Sequence, residues 1–281
     1  MKILVLGAAA SGGLPRWNCA CSQCQGLRQQ AGEGAMTQSA LAISADGQAW
    51  VLVNASPDIA AQIRANPVLQ PGPDAGGSSP IKALVLLDSQ LQSVAGLLSL
   101  RESRQLEVYA TPMVFEDLTD GLPLLPVLEQ YCAVRWHPLP VAGTQTAAEF
   151  SIPGFESLRF VALAVPGQRP PHARQREASV GDNIALWVQD LRGAQSLMFA
   201  PLLAAEPEAW GAEEAGTEGG TWQFWQRQAD CWLLDAQAPE AWQARAAGRR
   251  ILTRLGHAAS GPQSQEQAAL EQAFDGMVIE L

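Results

Sequence analysis

Short apolar segments, many of them rich in β-branched residues, recur along the whole 281-residue chain and constrain its fold more than any other feature. Turn-forming residues bound nearly all of them, which is the pattern of strands joined by turns. Segments with a helical pattern lie between these strands, so we expect a mixed α/β fold with two sheets and outer helices. The predicted strands are 2–7, 40–44, 50–55, 81–88, 106–110, 158–165, 183–189, 196–200, 231–235 and 250–253, and the predicted helices are 21–31, 59–65, 91–101, 113–119 and 239–247.

Local turn and loop patterns refine this arrangement. Asp46-Gly47 lies between two predicted strands and predicts a hairpin turn. The sequence Ser56-Pro57-Asp58 predicts the start of a helix, with its serine as the cap and its proline in the first turn. Two segments rich in turn residues, 70–80 and 206–220, are predicted to be surface loops, and neither is long enough to require a domain boundary. We therefore expect a single domain over residues 1–281.

The charge balance and the cysteine content limit the classes of partner and the compartment. Acidic residues exceed basic ones, 28 to 18, and the formal charge of −10 opposes binding to a nucleic-acid backbone. No apolar segment reaches the roughly 18 residues that suggest a membrane span. The apolar N-terminal segment is short, and Cys19 to Cys24 lie where a signal peptide would be cleaved, so it is predicted to be a buried strand. We expect a cytoplasmic protein, in which clustered cysteines indicate metal or redox chemistry.

The segment Cys19-Ala20-Cys21-Ser22-Gln23-Cys24 carries the strongest chemical signal in the sequence. Its spacing allows one loop to present three thiolates to three corners of a tetrahedral zinc ion. A redox pair formed by Cys21 and Cys24, or three unliganded thiols, are the alternatives. A zinc ion would need a fourth ligand from elsewhere in the chain. The candidates are His137, His172, His257, Cys132 and Cys231.

His257 is the preferred fourth ligand on local grounds. It follows the predicted strand 250–253, and the glycine before it allows the backbone to turn. His137 lies in a strand-like segment before a proline, and Cys132 and Cys231 lie in apolar surroundings that are typical of small core residues. A closed site of three cysteines and one histidine has no open coordination position, so such a zinc ion would be structural.

The chain contains only three histidines, which limits the metal centres it can build. A binuclear hydrolase usually uses about four or five histidines, because neutral imidazole is the commonest ligand for its ions. The composition therefore argues against an ordinary binuclear centre.

Distinctive motifs are spread from one end of the chain to the other. The opening segment 1–24 ends in the three cysteines, and the closing segment 274–281 reads Phe-Asp-Gly-Met-Val-Ile-Glu-Leu. Between them lie Asn54-Ala55-Ser56-Pro57-Asp58, Asp88-Ser89-Gln90 and Gly181-Asp182-Asn183. Together these motifs resemble the pyrroloquinoline quinone (PQQ) biosynthesis protein B family, PqqB, which belongs to the metallo-β-lactamase-fold superfamily.

The resemblance implies a fold, a pathway and two alternative roles. The fold would be a four-layer αββα sandwich of the metallo-β-lactamase type. One role is transport of PQQ or its precursor, and the other is metal-dependent oxidative hydroxylation of a tyrosine in a peptide precursor. Hydroxylation would need an iron ion with open coordination positions beside histidine and carboxylate ligands. Other PQQ biosynthesis proteins are candidate partners, and a second copy of this chain, in a homodimer, is another candidate.

Two departures from the family pattern affect the catalytic metal. The superfamily loop reads His-x-His-x-Asp-His, and PqqB proteins keep its last Asp-His, but Gln92 and Ser93 stand at those two positions here. Arg254 stands where superfamily relatives often have an active-site histidine, and its charge has the wrong sign for a metal ligand. His257 keeps the next histidine position, which closes the structural zinc. The resemblance thus implies that the catalytic metal is lost and that a zinc site survives at Cys19, Cys21, Cys24 and His257.

No catalytic residue can be assigned, so the residual pocket is the open question. Asp88, Asp182 and Asp235 could gather at the sheet ends, or could simply form turns and cap strands. His172 and these aspartates are the candidate relocated ligands of a hydroxylase. The candidate pocket residues are Asp88, Gln92, Ser93, His172, Asp182, Asp235 and Arg254. The leading hypothesis is a protein that binds or carries PQQ or its precursor. The alternatives are an iron-dependent hydroxylase of a tyrosine-containing peptide and a hydrolase related to the superfamily's phosphodiesterases.

Overall fold

Two facing sheets form the centre of the computed structural model, which describes residues 1–30, 33–73, 78–203, 222–236, 248–256 and 270–281. In this part of the chain each sheet has seven strands. The first sheet contains β1 (Lys2–Gly7), β2 (Ala40–Ser44), β3 (Trp50–Val53), β4 (Ile81–Val85), β5 (Gln105–Ala110), β6 (Ala133–Pro138) and β14 (Val278–Glu280), in the order β14-β1-β2-β3-β4-β5-β6. The second contains β7 (Ala147–Phe150), β8 (Leu158–Ala164), β9 (Ile184–Asp190), β10 (Ser196–Ala200), β11 (Cys231–Asp235), β12 (Arg249–Thr253) and β13 (Glu271–Gln272), in the order β13-β12-β11-β10-β9-β8-β7.

Each sheet is mixed, with an antiparallel half and a parallel half. Strands β1, β2, β3 and β14 pair in antiparallel fashion, whereas β3 to β6 are parallel. The second sheet repeats this division, because β7 to β10 are antiparallel and β10 to β13 are parallel. In each sheet, the carboxyl ends of the parallel strands therefore lie at one edge. The loops that follow these strands can bring functional side chains together there.

Alternating side chains along the strands divide the apolar core into layers. In β4, Ala83 and Val85 face the second sheet, while Leu84 faces the helices on the outer side. On the outer face of the second sheet, Trp225 packs with Trp187. The expected four-layer αββα architecture is thereby confirmed. The helices of the described chain are α1 (Ser22–Gln29), α2 (Ile59–Ala65), α3 (Leu91–Val94), α4 (Pro112–Glu116), α5 (Leu124–Leu128) and α6 (Trp222–Arg227).

All ten predicted strands are present, and the strand-like segment that contains His137 is the edge strand β6. It was not counted among the ten because Arg135 and His137 interrupt its apolar residues and it ends in a proline. Three further strands were not predicted. Strand β7 has four residues, and β13 and β14 are shorter still. The turn Asp46-Gly47 is confirmed, since it joins the antiparallel strands β2 and β3 and its glycine has a φ of 87°. The predicted helix 239–247 and loop 206–220 lie outside the described residues.

Two helix predictions were wrong in detail. Helix α2 begins at Ile59, and Ser56 instead accepts a hydrogen bond from the Asp58 amide at 3.2 Å and donates one to Gln62 at 3.0 Å. The predicted helix 91–101 ends as α-helix after four residues and continues as the 3-10 helix Ala95–Leu100. The amide of Gly96 donates to the carbonyl of Ala55 at 2.9 Å, so it is not available for the α-helical hydrogen bond.

No helix in the described part of the chain combines the length and the apolar character that crossing a membrane requires.

Candidate ligand site and metal site

Three buried aspartates of the candidate pocket lie where strands of the two sheets begin or end. Asp88 follows β4, Asp182 precedes β9, and Asp235 is the last residue of β11. The two sheets touch here, because the amide of Ile184 donates to the carbonyl of Leu87 at 2.9 Å. Ligands of open α/β sheets commonly bind beyond the carboxyl ends of strands. We call Asp88, Asp182 and Asp235 the acidic edge.

Asp88 is held in place by a short chain of polar side chains. Its two carboxylate oxygens accept hydrogen bonds from the Gln90 amide at 2.8 Å and from the Ser93 hydroxyl at 3.0 Å. The side-chain amide of Asn54 donates to Ser93 at 3.4 Å, and its oxygen accepts from the amide of Leu87 at 3.0 Å. Ser93, a predicted pocket residue, therefore serves to orient Asp88.

Arg254 is buried next to the acidic edge, and the protein itself engages its guanidinium group. Its Nη1 lies 3.5 Å from Oδ2 of Asp235 and donates a 2.6 Å hydrogen bond to the carbonyl of Pro201. The residue has a φ of 52°, a left-handed conformation that costs a residue other than glycine on the order of 1–3 kcal/mol. The surrounding contacts offset this cost, so Arg254 is a fixed cation of the site.

A second arginine, Arg176, clamps two carboxylates. Its Nε and Nη2 donate to Asp117 at 3.0 and 2.9 Å, and its Nη1 lies 2.6 Å from Oδ1 of Asp182. Asp117 also accepts a 2.6 Å hydrogen bond from the hydroxyl of Ser89, the residue after Asp88. A planar guanidinium suits this fork-like recognition. The clamp ties the segment between β8 and β9 to the helical segment after β5, and the bond from Ser89 extends this link to the segment after β4.

Three predicted residues stay outside these contacts. Gln92 is half-buried in α3. His172 lies on the 3-10 turn Pro171–Ala173, and its buried Nε2 has no hydrogen-bond partner among the described residues. Burial is the main reason that the pKa of His172 lies below its usual value, so the neutral imidazole is favoured. His257 lies outside the described residues.

The three predicted zinc ligands do come together. The Sγ atoms of Cys19, Cys21 and Cys24 lie within 4.8 Å of one another, and we call them the thiol cluster. Cys21 precedes α1, and its sulfur accepts a hydrogen bond from the Cys24 amide at 3.5 Å, which lowers the pKa of the Cys21 thiol. Burial instead raises the pKa of the Cys24 thiol. Three sulfurs around a tetrahedral zinc would be about 3.8 Å apart, so the donor set fits this ion.

Within the described ranges, the thiol cluster is the only group of three or more histidine, cysteine, aspartate or glutamate side chains that is close enough to hold a metal ion. None of the described alternatives supplies a fourth ligand. His137 lies in β6, where it stacks on Tyr109 and bonds to Glu107 at 2.5 Å. Cys132 and Cys231 are buried away from the cluster, as expected of core residues.

Comparison with known proteins identifies the family. Residues 49–273 match the model of the beta-lactamase superfamily domain. The coenzyme PQQ synthesis protein B of Methylococcus capsulatus is 40% identical over 277 residues, which span 96% of this chain and 84% of that protein. The chain belongs to the PqqB family. The PqqB relative from Pseudomonas aeruginosa is 43% identical over 238 residues, covering 84% of this chain and 73% of its own length.

Solved structures agree with this assignment. The zinc-bound PqqB from Methylobacterium extorquens superposes with a TM-score of 0.74 at 26% identity, and each chain is covered completely. A diphosphatase of the PhnP family superposes with a TM-score of 0.68 at 15% identity over 99% of this chain and 96% of its own, which shows a shared fold. The PqqB resemblance and the fold expected from the sequence are both confirmed.

Several polar residues of this PqqB-family site escaped the sequence analysis as functional residues. Asn54 and Asn183 lay within quoted motifs, and the left-handed φ of 63° at Asn54 explains why an asparagine suits that position. Asp117 and Arg176 lie in none of the sequence motifs. They are 59 residues apart in sequence, and only the fold reveals their pairing.

Asp88 predicts a measurable pH dependence of stability. Burial raises its pKa from 3.8 to about 6, although the bonds from Gln90 and Ser93 and the charge of Arg254 act in the opposite direction. Between these two pH values the unfolded chain has already lost the proton that the folded protein still holds. The free energy of unfolding should therefore fall by on the order of 3 kcal/mol as the pH rises from about 4 to above 6.

The variant Asp88→Asn should lack this contribution and be more stable than the wild type at pH 7.5. Urea unfolding at a series of pH values measures both effects. Asp46→Asn, in the exposed hairpin turn, is the matched control that should keep the wild-type slope near pH 5 to 6. If the free energy of unfolding changed equally with pH in the wild type and in Asp88→Asn, this would contradict the raised pKa of Asp88.

Proposed function

We propose that this PqqB-family protein binds or carries PQQ or its precursor at the acidic edge, without a catalytic metal ion there. The observation that carries the proposal is the buried ion pair between Arg254 and Asp235. The family resemblance places this permanent positive charge where superfamily relatives often have an active-site histidine. A guanidinium group has only donors and cannot coordinate a metal ion. It also holds Asp235 in an ion pair.

The remaining polar contacts support the same conclusion. Ser93 and Asp88 bond to each other, and Asp182 pairs with Arg176, so both carboxylates already have partners inside the protein. An iron site of the usual kind needs histidine and carboxylate ligands with open positions between them. Asp88, Asp182 and Asp235 do not converge in that way, since metal-site geometry among the described residues is confined to the thiol cluster. The residues present do not fit a catalytic iron.

We further propose that Cys19, Cys21, Cys24 and His257 hold one structural zinc ion. The thiol cluster supports this, because three thiols at such distances suit zinc and no other described group joins them. When bound, the zinc ion would cross-link the loop after β1 to the segment after β12. None of the cysteines in the described part of the chain forms a disulfide, which suits a reducing compartment. We therefore propose a cytoplasmic location, with other PQQ biosynthesis proteins as partners.

The second candidate function is an iron-dependent hydroxylase of a tyrosine-containing peptide precursor that uses relocated ligands. His172 is the observation that favours it, because its buried Nε2 is neutral and lacks a hydrogen-bond partner in the described chain. The guanidinium of Arg176 counts against a metal ion there, because its charge acts with burial to lower the pKa of His172, whereas the carboxylate of Asp117 acts to raise it.

Binding and turnover experiments separate the two functions. The zinc-loaded protein should bind PQQ or a tyrosine-containing dipeptide in equilibrium dialysis and return the dipeptide unchanged after incubation with ferrous iron and oxygen. Hydroxylated dipeptide that is formed by the wild type and lost in His172→Ala would establish the hydroxylase instead. Arg174→Ala, two residues along the same loop and exposed, is the control variant.

A further inference from the structure

The two arginines of the site leave one carboxylate without a cation. Arg176 is engaged by Asp117 and Asp182, and Arg254 is engaged by Asp235. Asp88 is 1% exposed, and no lysine, arginine or histidine in the described part of the chain lies within ion-pair distance of it. A buried carboxylate that no cation contacts is unfavourable unless it is protonated or binds a cation. The carboxylate of Asp88 is therefore able to form an ion pair with a positively charged group of a ligand.

A second unused acceptor lies next to Asp88. Asn183 is 3% exposed, and its Oδ1 has no hydrogen-bond partner among the residues described. Asn183 and Asp88 form an antiparallel bridge, and the side chains of such a pair leave the backbone on the same side. Gly167 makes room for this amide, since a Cβ atom there would lie 2.4 Å from the Asn183 Cγ. Buried polar atoms are nearly always bonded, so an unused one indicates a missing partner.

Both residues offer acceptor atoms, and this sets the chemistry of the partner. Asn183 Oδ1 has no hydrogen-bond partner among the described residues, and each oxygen of Asp88 accepts one hydrogen bond and keeps a further lone pair. We propose that Asp88 and Asn183 bind a protonated primary amine of the ligand, with Asp88 supplying the opposite charge and Asn183 Oδ1 a second hydrogen bond. An ammonium group has three donors and no acceptor, which matches this pair. It is also small, as the low exposure of both residues requires.

A divalent cation is the competing occupant, and the local contacts disfavour it. Hard cations usually need six or so oxygen ligands, whereas Asp88 and Asn183 supply too few. The positive charge of an amine can pair with Asp88, the one of the four carboxylates that neither arginine contacts.

This inference rests on the proposed binding function and narrows its ligand. A peptide-derived precursor carries a primary amine, whereas the finished quinone is a tricarboxylate without one. The acidic edge would therefore retain the precursor and release the product. The carboxylates of the product would be repelled by the negative charge of Asp88, and both nearby arginines are already paired with aspartates.

Calorimetric titration of the zinc-loaded protein at pH 7.5 tests this directly. The probes are a tyrosine-containing dipeptide with a free amino terminus, its N-acetylated form, tyrosine amide and PQQ. The free dipeptide should bind at least about tenfold more tightly than the acetylated form, because acetylation removes one charged hydrogen bond. Tyrosine amide tests whether the amine of a single amino acid suffices, and its binding with the same dependence on Asp88 would support the assignment.

Variants tie the preference to the two residues. Asp88→Asn and Asn183→Leu should each remove most of the preference for the free amine, while Asp46→Asn should keep it. Asp88→Asn is expected to be the more stable protein at this pH, so lost binding would not reflect unfolding. Thermal melting of Asn183→Leu provides the corresponding check for that variant.

The outcomes separate this inference from the proposed function. Equal binding of free and acetylated dipeptide, or an amine preference that survives Asp88→Asn, would overturn the amine site. Tight binding of PQQ with the same affinity in the wild type and in Asp88→Asn would also overturn the amine site. It would still be consistent with the proposed binding function. Failure of every probe to bind would overturn both. Displacement of the dipeptide by manganese(II) in the wild type but not in Asp88→Asn would assign the site to a metal ion instead.

Discussion

Replacing Cys24 with serine is expected to abolish zinc binding and to lower the free energy of unfolding by on the order of 5 kcal/mol. Cys24 is fully buried and packs against Ala9 and Leu14, and a serine hydroxyl is a poor zinc ligand. The loop that carries these residues also binds the segment after β12, because Ala8 and Ala10 form backbone hydrogen bonds of 2.8 and 3.0 Å with Leu255. The thiol cluster thus supports the position of Arg254, the residue before Leu255.

Cys231→Ser is the matched control for this variant. Cys231 is equally buried, but it lies in β11 within the inter-sheet core, and burial raises the pKa of its thiol to about 11. Both serine variants should lose some packing energy, whereas only Cys24→Ser should lose zinc. A chelator should destabilise the wild type and Cys231→Ser and have no effect on Cys24→Ser. Zinc retained in Cys24→Ser at one ion per chain would show that the thiol cluster is not the site.

Replacing Arg254 with methionine is the second change with a large expected effect. Methionine fills a similar volume but leaves the buried carboxylate of Asp235 without its cation and the carbonyl of Pro201 without its donor. Breaking one side of a buried ion pair costs about 3–5 kcal/mol. The denaturation midpoint in urea should fall accordingly at pH 7.5.

Two further variants show whether the cause is the ion pair. Arg249→Met removes an arginine from the start of β12, where its pair with Glu271 is exposed, so the loss should be within about 1 kcal/mol. Arg254→Met combined with Asp235→Asn should recover much of the lost stability, because the uncompensated charge is gone. A double variant that is no more stable than Arg254→Met would indicate that Arg254 acts through packing alone.

The sequence predicted those features whose signal is local. The ten apolar strands were found because each carries its own run of buried residues, and the thiol cluster was found because all its members lie within six positions. The segment of strand β6 looked strand-like but was not counted among the predicted strands, because its residues are partly exposed and Arg135 and His137 interrupt its apolar pattern. Its position depends on pairing with β5, which no local pattern specifies.

The candidate site was only partly predictable for the same reason. Asp88, Ser93 and Arg254 drew attention because they stand at family motif positions, and the structure links Ser93 to Asp88 and Arg254 to Asp235. The clamp of Arg176 and the unused acceptor of Asn183 arise from contacts between segments that are distant in sequence. Such contacts become visible only when the two sheets are brought together.

The metal content of the protein after iron loading tests the central claim most directly. Protein purified without oxygen would be incubated with excess ferrous iron, desalted and analysed for zinc and iron by mass spectrometry. The account predicts about one zinc per chain, lost in Cys24→Ser, and no tightly bound iron. One iron per chain in the wild type, lost when Asp88 or His172 is replaced, would contradict it.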